Sequence, residues 1–219
     1  MAHILCIETA TTNCSVALSV NGSVIALKED NSTSYSHAER LHVYIEQVMS
    51  QAKLDMHHLD AIAVSMGPGS YTGLRIGVSA AKGLCFALNI PLYAISTLKS
   101  LARKADTDAD FVIPLIDARR MEVYSAIYDG EMNEIREIRA EILVKDSFQE
   151  QLQSGKVEFI GNGVEKFQKI CDHANAIFKS EQLPSAAQMA ILVEEKHKKS
   201  DTVDVAYFEP FYLKDFISG

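Results

Sequence analysis

The stretch Gly67-Pro68-Gly69-Ser70-Tyr71-Thr72-Gly73-Leu74-Arg75-Ile76-Gly77 is where this chain carries the residue types and spacing for chemistry. It follows an apolar run, Ala61 to Met66, and leads into a helical pattern rich in small residues. That order presents free backbone N–H groups at a helix N-terminus, either to an anion or to another piece of chain packed closely against it. Three enzymatic motifs fail on inspection. A Walker loop ends in Gly-Lys-Ser/Thr so that lysine reaches the phosphates, and Thr72-Gly73-Leu74 stands there instead. The dinucleotide fingerprint has its third glycine one residue late, at Gly73, and lacks an acid at a strand end about 20 residues on. Gly77-Val78-Ser79-Ala80-Ala81 lacks the last glycine of a nucleophile elbow. Glu8 and Asp117 each close an apolar run before a polar turn, so they could hold a metal as a pair or simply open two hairpins. His37 and His42 look like metal ligands, but five residues place them roughly 140° apart around a helix. The position facing the same ion as His37 is Leu41. His57 and His58 lie in a polar connection.

The elements that must position these residues recur twice. Residues 3–8 form a strand ending in Glu8; a polar turn leads to residues 15–20, and Asn21-Gly22 turns the chain back through residues 23–27. Asn-Gly between apolar runs is a strong hairpin signal. In the second half residues 112–116 lead to Asp117, residues 123–128 follow, Asp129-Gly130 makes the hairpin, and residues 131–136 return. Each half continues with a helix (36–52 and 146–153) and a strand (61–66 and 157–160). A glycine turn follows in both, Gly67-Pro68-Gly69 and Gly161-Asn162-Gly163. Another helix (72–88 and 164–174), a short strand (91–95 and 176–179) and a last helix (97–105 and 185–198) complete each copy. Two copies of βββαβαβα predict two α/β domains with mixed sheets, 1–106 and 107–219, the final helix free to pack back on the first. This plan resembles the actin-like (ASKHA, ribonuclease-H-like) superfamily, whose catalytic members bind nucleotide against the two hairpins. The second turn, Asp117-Ala118-Arg119-Arg120-Met121-Glu122, has two arginines where such an enzyme needs a glycine beside phosphate.

Bulk composition narrows the classes. The chain has 219 residues, 47% hydrophobic and 23% charged, with a net charge of −8. That balance fits a globular protein and argues against a dominant basic surface for nucleic acid. Arg119 and Arg120 leave a local transfer RNA contact open. No run approaches the roughly 18 apolar residues of a membrane span, and no basic-then-apolar leader opens the sequence, so a soluble cytoplasmic protein is expected. Cys6, Cys14, Cys85 and Cys171 are scattered and read as buried thiols.

Gly73, Gly77 and Ala81 form an i, i+4, i+8 stripe that lets a neighbour come close. Glycine inside a helix costs roughly 1 kcal/mol against alanine, so the stripe needs a packing partner, from this chain or another. Leu74, Arg75, Val78 and Lys82 offer a second face, and Val43 and Tyr44 stand off the core stripe of the first long helix.

Several segments together are similar to the TsaB (formerly YeaZ) family. They are Ile4-Leu5-Cys6-Ile7-Glu8-Thr9-Ala10, His37-Ala38-Glu39-Arg40-Leu41, residues 67–77, Asp117 through Tyr124, and Pro210-Phe211-Tyr212-Leu213-Lys214. The resemblance covers about residues 4 to 214, with Glu8 and Lys214 where aspartate and arginine are usual. It implies a non-catalytic subunit, with no cofactor or metal of its own, for threonylcarbamoyl transfer to the adenosine 3′ of the transfer RNA anticodon. Such a subunit pairs with and activates the related TsaD, works with the P-loop ATPase TsaE, meets transfer RNA only through the complex, and homodimerises when alone. The resemblance places the interface on the first two long helices, at His37, Arg40, Leu41, Tyr44, Gly73, Leu74, Arg75, Gly77, Val78 and Ala81. Residues 67–72 then serve as a structural loop. On that expectation Gly77→Arg or Val78→Glu abolishes pairing and leaves the monomer folded. A stand-alone ATP-dependent small-molecule kinase or a metallopeptidase is the alternative within the superfamily.

Overall fold

The computed structural model describes residues 1–31, 37–105 and 108–213. Ser36 at the expected helix start, Lys214 of the Pro210–Lys214 motif and the expected boundary at residues 106–107 lie outside them. The chain forms two compact units: Met1–Ser100 with Pro184–Tyr212, and Leu101–Leu183 with Leu213–Gly219.

In the first unit β1 (His3–Glu8), β2 (Asn13–Val20) and β3 (Ser23–Asn31) form an antiparallel meander. Asn21 and Gly22 both take positive φ, +50° and +77°, so Val20 pairs directly with Ser23, as a two-residue turn requires. Then come α1 (His37–Ala52), β4 (Ala61–Gly67), α2 (Tyr71–Leu88), β5 (Leu92–Ser96) and α3 (Thr97–Ala102), whose last two residues are counted in the second unit. The sheet order is β3-β2-β1-β4-β5, with β1, β4 and β5 parallel. Because side chains alternate along a strand, β1 feeds two cores. Leu5 and Ile7 join Leu41, Ile45, Val48, Val78 and Ala81 from α1 and α2. Ile4 and Cys6 meet Ala186, Met189, Leu192 and Val193 on the other face.

The second unit repeats the plan. Strands β6 (Phe111–Asp117), β7 (Glu122–Asp129) and β8 (Glu134–Ile142) precede α4 (Gln149–Ser154). Then follow β9 (Val157–Ile160), α5 (Val164–Gln168) and β10 (Ala176–Lys179), in the order β10-β9-β6-β7-β8. Phe148, Phe159, Phe167 and Phe178 pack against one another in its core, mostly edge to face, with ring centroids 4.8 to 6.2 Å apart. The closing helix, α6 (Ala186–Lys198), covers the first sheet, where Ser185 accepts the Ala187 N–H as N-cap.

Three expectations need correction. The second hairpin is not a two-residue turn: Asp129 Oδ1 accepts the N–H groups of Glu131 and Asn133, Met132 takes φ +66°, and the return strand begins at Glu134. The helix expected over 164–174 stops at Gln168, because Ile170 and Cys171 both donate to the Phe167 carbonyl and close the last turn. The helix expected over 97–105 ends at Ala102, where Lys104 and Ala105 donate three residues back in a tighter turn. Truncating a fully buried aromatic leaves a cavity as well as lost transfer energy. Phe167→Ala is therefore expected to lower protection of the second unit's amides by about 3–5 kcal/mol, read by native-state hydrogen exchange.

Candidate functional site

The carboxyl end of β1 fixes the geometry of the first unit. Glu8 is fully buried; its Oε1 accepts the Ser65 hydroxyl at 2.8 Å and the Ala10 N–H at 2.7 Å. The Thr9 hydroxyl donates to the Gly73 carbonyl at 2.8 Å. A Cβ on Gly73 would stand 2.1 Å from the Thr9 carbonyl oxygen, and one on Gly77 would stand 2.2 Å from Thr9 Oγ1. A Cβ on Gly69 would meet the Ala10 carbonyl oxygen at 2.4 Å. Ser70 ties this junction together: its N–H donates to the Ala10 carbonyl at 2.7 Å, and its hydroxyl caps α2 by accepting from Gly73 N.

The Gly73-Gly77-Ala81 stripe thus faces inward, toward this chain's own β1. Of the two packing partners that the stripe allows, this chain's own Thr9 is the one that Gly73 and Gly77 meet. Leu74 and Val78 are likewise buried, and Leu41 lies in the first core. Gly77→Arg and Val78→Glu would disturb folding rather than pairing alone. Arg40 and Tyr44 both turn to Asp30 of β3, Arg40 as an ion pair and Tyr44 through its hydroxyl at 3.4 Å. His37 is buried at the start of α1, where Nε2–H donates to the Thr11 carbonyl at 2.7 Å. Burial holds its pKa below the usual 6.5. Burial also pushes Cys6 and Cys85 up to about 12 and Cys14 up to about 11, so these thiols stay protonated. Among the described residues no three His, Cys, Asp or Glu side chains cluster as metal ligands would.

What the helices present outward is different. Ala38 and His42 of α1 face Arg75, Ile76, Ser79, Ala80, Gly83 and Leu84 of α2 across an open groove of about 560 Å³. Of the ten expected interface residues, Arg75 alone lines it. Gly83 is exposed, and a Cβ there would meet nothing within 4 Å. Phe86, 86% exposed, continues the outward side of the same helix. A strap along residues 203–212 braces this helix from one side. Lys82 Nζ donates to the carbonyls of Ala206 and Phe208, at 3.1 and 3.0 Å, and Phe211 N–H to Met66 O at 2.7 Å. Arg75 donates to the Tyr212 hydroxyl at 3.2 Å and lies 4.1 Å from the Tyr71 ring centre, which holds its guanidinium at the groove. The outward residues carry a signal in the sequence: Gly83 breaks helix propensity outside the buried stripe.

Two sheets of identical strand order, each with a parallel part flanked by an antiparallel meander, define a duplicated α/β protein of the actin-like, ribonuclease-H-like class. The family described as "TsaD: tRNA N6-adenosine threonylcarbamoyltransferase" matches residues 30–217. A relative from Escherichia coli (strain K12), "tRNA threonylcarbamoyladenosine biosynthesis protein TsaB", is 31% identical over 99% of this chain and 96% of its own length. The protein of the same name from Haemophilus influenzae is 29% identical over 98% of this chain and 94% of its own. The solved structure "YeaZ from Pseudomonas aeruginosa" superposes with a TM-score of 0.85 at 29% identity, over 97% of this chain and all of that one. The chain belongs to the TsaB (YeaZ) family.

This geometry sets stability expectations at three positions. Gly83→Ala is expected to raise stability by about 0.5–1 kcal/mol, because alanine favours the helix and meets no neighbour. Gly77→Ala is expected to lower stability by more than that, because Thr9 must move; thermal melts of both variants decide. For His37, the folded state disfavours the charged form, so its contribution is fully present above the unfolded pKa of 6.5 and is lost as pH falls below it. Melting temperature should therefore drop between pH 7 and pH 5, and the drop should be smaller in His37→Gln.

Proposed function

We propose that this chain acts in biosynthesis of threonylcarbamoyladenosine in transfer RNA as a non-catalytic subunit, pairing with a TsaD-type transferase and activating it. The relatives' names support the pathway, and the groove between α1 and α2 supports the mode of action. The observation that carries it is Gly83 with Phe86. A mid-helix glycine at which an added Cβ would meet nothing within 4 Å lowers helix stability without an internal packing reason. A neighbouring phenylalanine left 86% exposed is apolar surface without an internal partner. Both fit a face against which a second helix packs closely. The same face serves a homodimer when the transferase is absent, and a TsaE-type ATPase joins the assembled pair in the cytoplasm. Transfer RNA is met through the complex. Support for a subunit without its own catalysis comes from the β1 edge, where Glu8 is enclosed and engaged by Ser65 and Ala10. A kinase or peptidase would instead show tight ATP–magnesium or metal binding in calorimetry.

The test uses outward substitutions that leave the core untouched. Gly83→Arg and Phe86→Glu should remain folded by circular dichroism yet lose co-elution with the organism's TsaD-type protein, with modification activity falling at least tenfold. Full co-elution of both variants would move the interface elsewhere.

A further inference from the structure

The two halves of this chain treat the same turn in opposite ways. After β1 the turn is enclosed: Thr9, Ala10 and Thr11 are buried, and Thr11 is held by His37. After β6 the corresponding turn stands open, with Asp117, Arg119, Arg120 and Met121 all exposed. It lies at the carboxyl ends of the parallel strands, the edge at which α/β sheets ordinarily bind ligands.

The backbone of this turn is unusual for its residues. Arg119 and Arg120 take φ +71° and +48°, a left-handed conformation that bulky side chains rarely adopt. The chain reaches the same geometry between β2 and β3 with Asn21-Gly22, the pair that suits it best. Two arginines in that role are strained, and the strain is held by specific bonds. Arg119 N–H donates to Asp117 Oδ1 at 2.6 Å, Glu122 N–H to the Arg119 carbonyl, and Ala118 N–H to the Glu122 carbonyl. Strain of this kind collects where side chains have a task.

The charges at this end of the sheet are arranged so that the arginines stay unneutralised. The Asp117 carboxylate is occupied by Lys166 Nζ at 2.9 Å, and Lys166 also donates to the Glu122 carbonyl. Asn162 Oδ1 accepts the Asp117 N–H, and Leu143 N–H donates to the Met121 carbonyl, two residues before the exposed Lys145. Elsewhere Arg40, Arg75 and Arg136 each engage a side chain of their own unit. Among the described residues neither Arg119 nor Arg120 has a side-chain partner, in a chain that carries 29 acidic residues against 21 basic ones.

We infer that the Arg119–Arg120 turn is a phosphate-contacting element that grips an RNA backbone once the complex has assembled. The inference rests on the function proposed above. A guanidinium presents a planar fork that matches phosphate oxygens, and two on one turn provide two backbone contacts without reading sequence. The net charge of −8 keeps the isolated chain from binding RNA on its own, so the turn acts where a partner supplies the remaining contacts.

The test measures affinity of the assembled complex for a transfer RNA transcript across a salt series. Arg119→Asn with Arg120→Gly removes both charges with residues that favour the left-handed turn, so the fold is kept. The slope of log affinity against log salt should flatten by about 1.5, two contacts' worth. The double lysine variant should keep the wild-type slope. Arg139→Ala, which removes an exposed arginine of β8 that has no side-chain partner among the described residues, should also leave it unchanged. An assembled variant complex with the wild-type slope overturns the inference. Loss of free ATP binding with RNA affinity intact also overturns it, in favour of a nucleotide. If the wild-type chain fails to assemble with a TsaD-type partner at all, the proposed function falls first and takes this inference with it.

Discussion

Everything in the first unit depends on how closely β1 approaches α2. The Thr9 carbonyl and hydroxyl occupy the space that side chains at 73 and 77 would need, so only glycine permits the helix to sit where it does. The Thr9–Gly73 hydrogen bond then sets the rotation of α2 about its axis. With that rotation fixed, Leu74, Val78, Ala81 and Cys85 point into the core, and Arg75, Ser79 and Gly83 point out. The cap from Ser70 and the enclosure of Glu8 follow from the same junction. What α2 presents outward is therefore a by-product of an internal packing constraint at its inner side.

The duplication gives each unit the same strand order and the same glycine turn after its fourth strand, at Gly67 with φ +111° and Gly161 with φ +122°. What differs is the use of the carboxyl edge. In the first unit Thr9, Ala10 and His37 fill it, and the Phe211 backbone lies against Gly67. In the second unit Asp117 remains 40% exposed and is bridged by Lys166. Identical topology thus supports a closed end in one half and an open, charged end in the other. The distinction rests on a few side chains and not on the fold.

Much of the architecture was legible because hydrophobic period and turn chemistry agree along the chain. Asn21-Gly22, the strand run of residues 3–8 and the repeated glycine turns each predict their element, and each is present. The Asp129 turn is longer than spacing predicts because its carboxylate accepts the N–H groups of Glu131 and Asn133, hydrogen bonds that spacing alone does not reveal. The glycine stripe was legible as a close contact, but its direction was not: helical spacing says which residues share a face, not which neighbour that face meets. Gly83 is a separate signal. It lies outside the stripe, so the internal contact that explains Gly73 and Gly77 cannot explain it. Arg40 and Tyr44 are drawn to Asp30, a residue of β3 that only the tertiary fold brings near α1.

The return of α6 to the first sheet has a consequence for how the molecule is made. Ile4, Cys6, Ala17, Ala61, Ala63, Tyr93 and Ile95 stay without their apolar cover until residues 186–193 have left the ribosome. Chain growth proceeds at roughly 5–20 residues per second, so one face of the N-terminal sheet waits several seconds while the whole intervening unit is synthesised. The first unit is thus begun first and completed last. During that interval its bare sheet face is the surface that nascent-chain chaperones would be called on to shield.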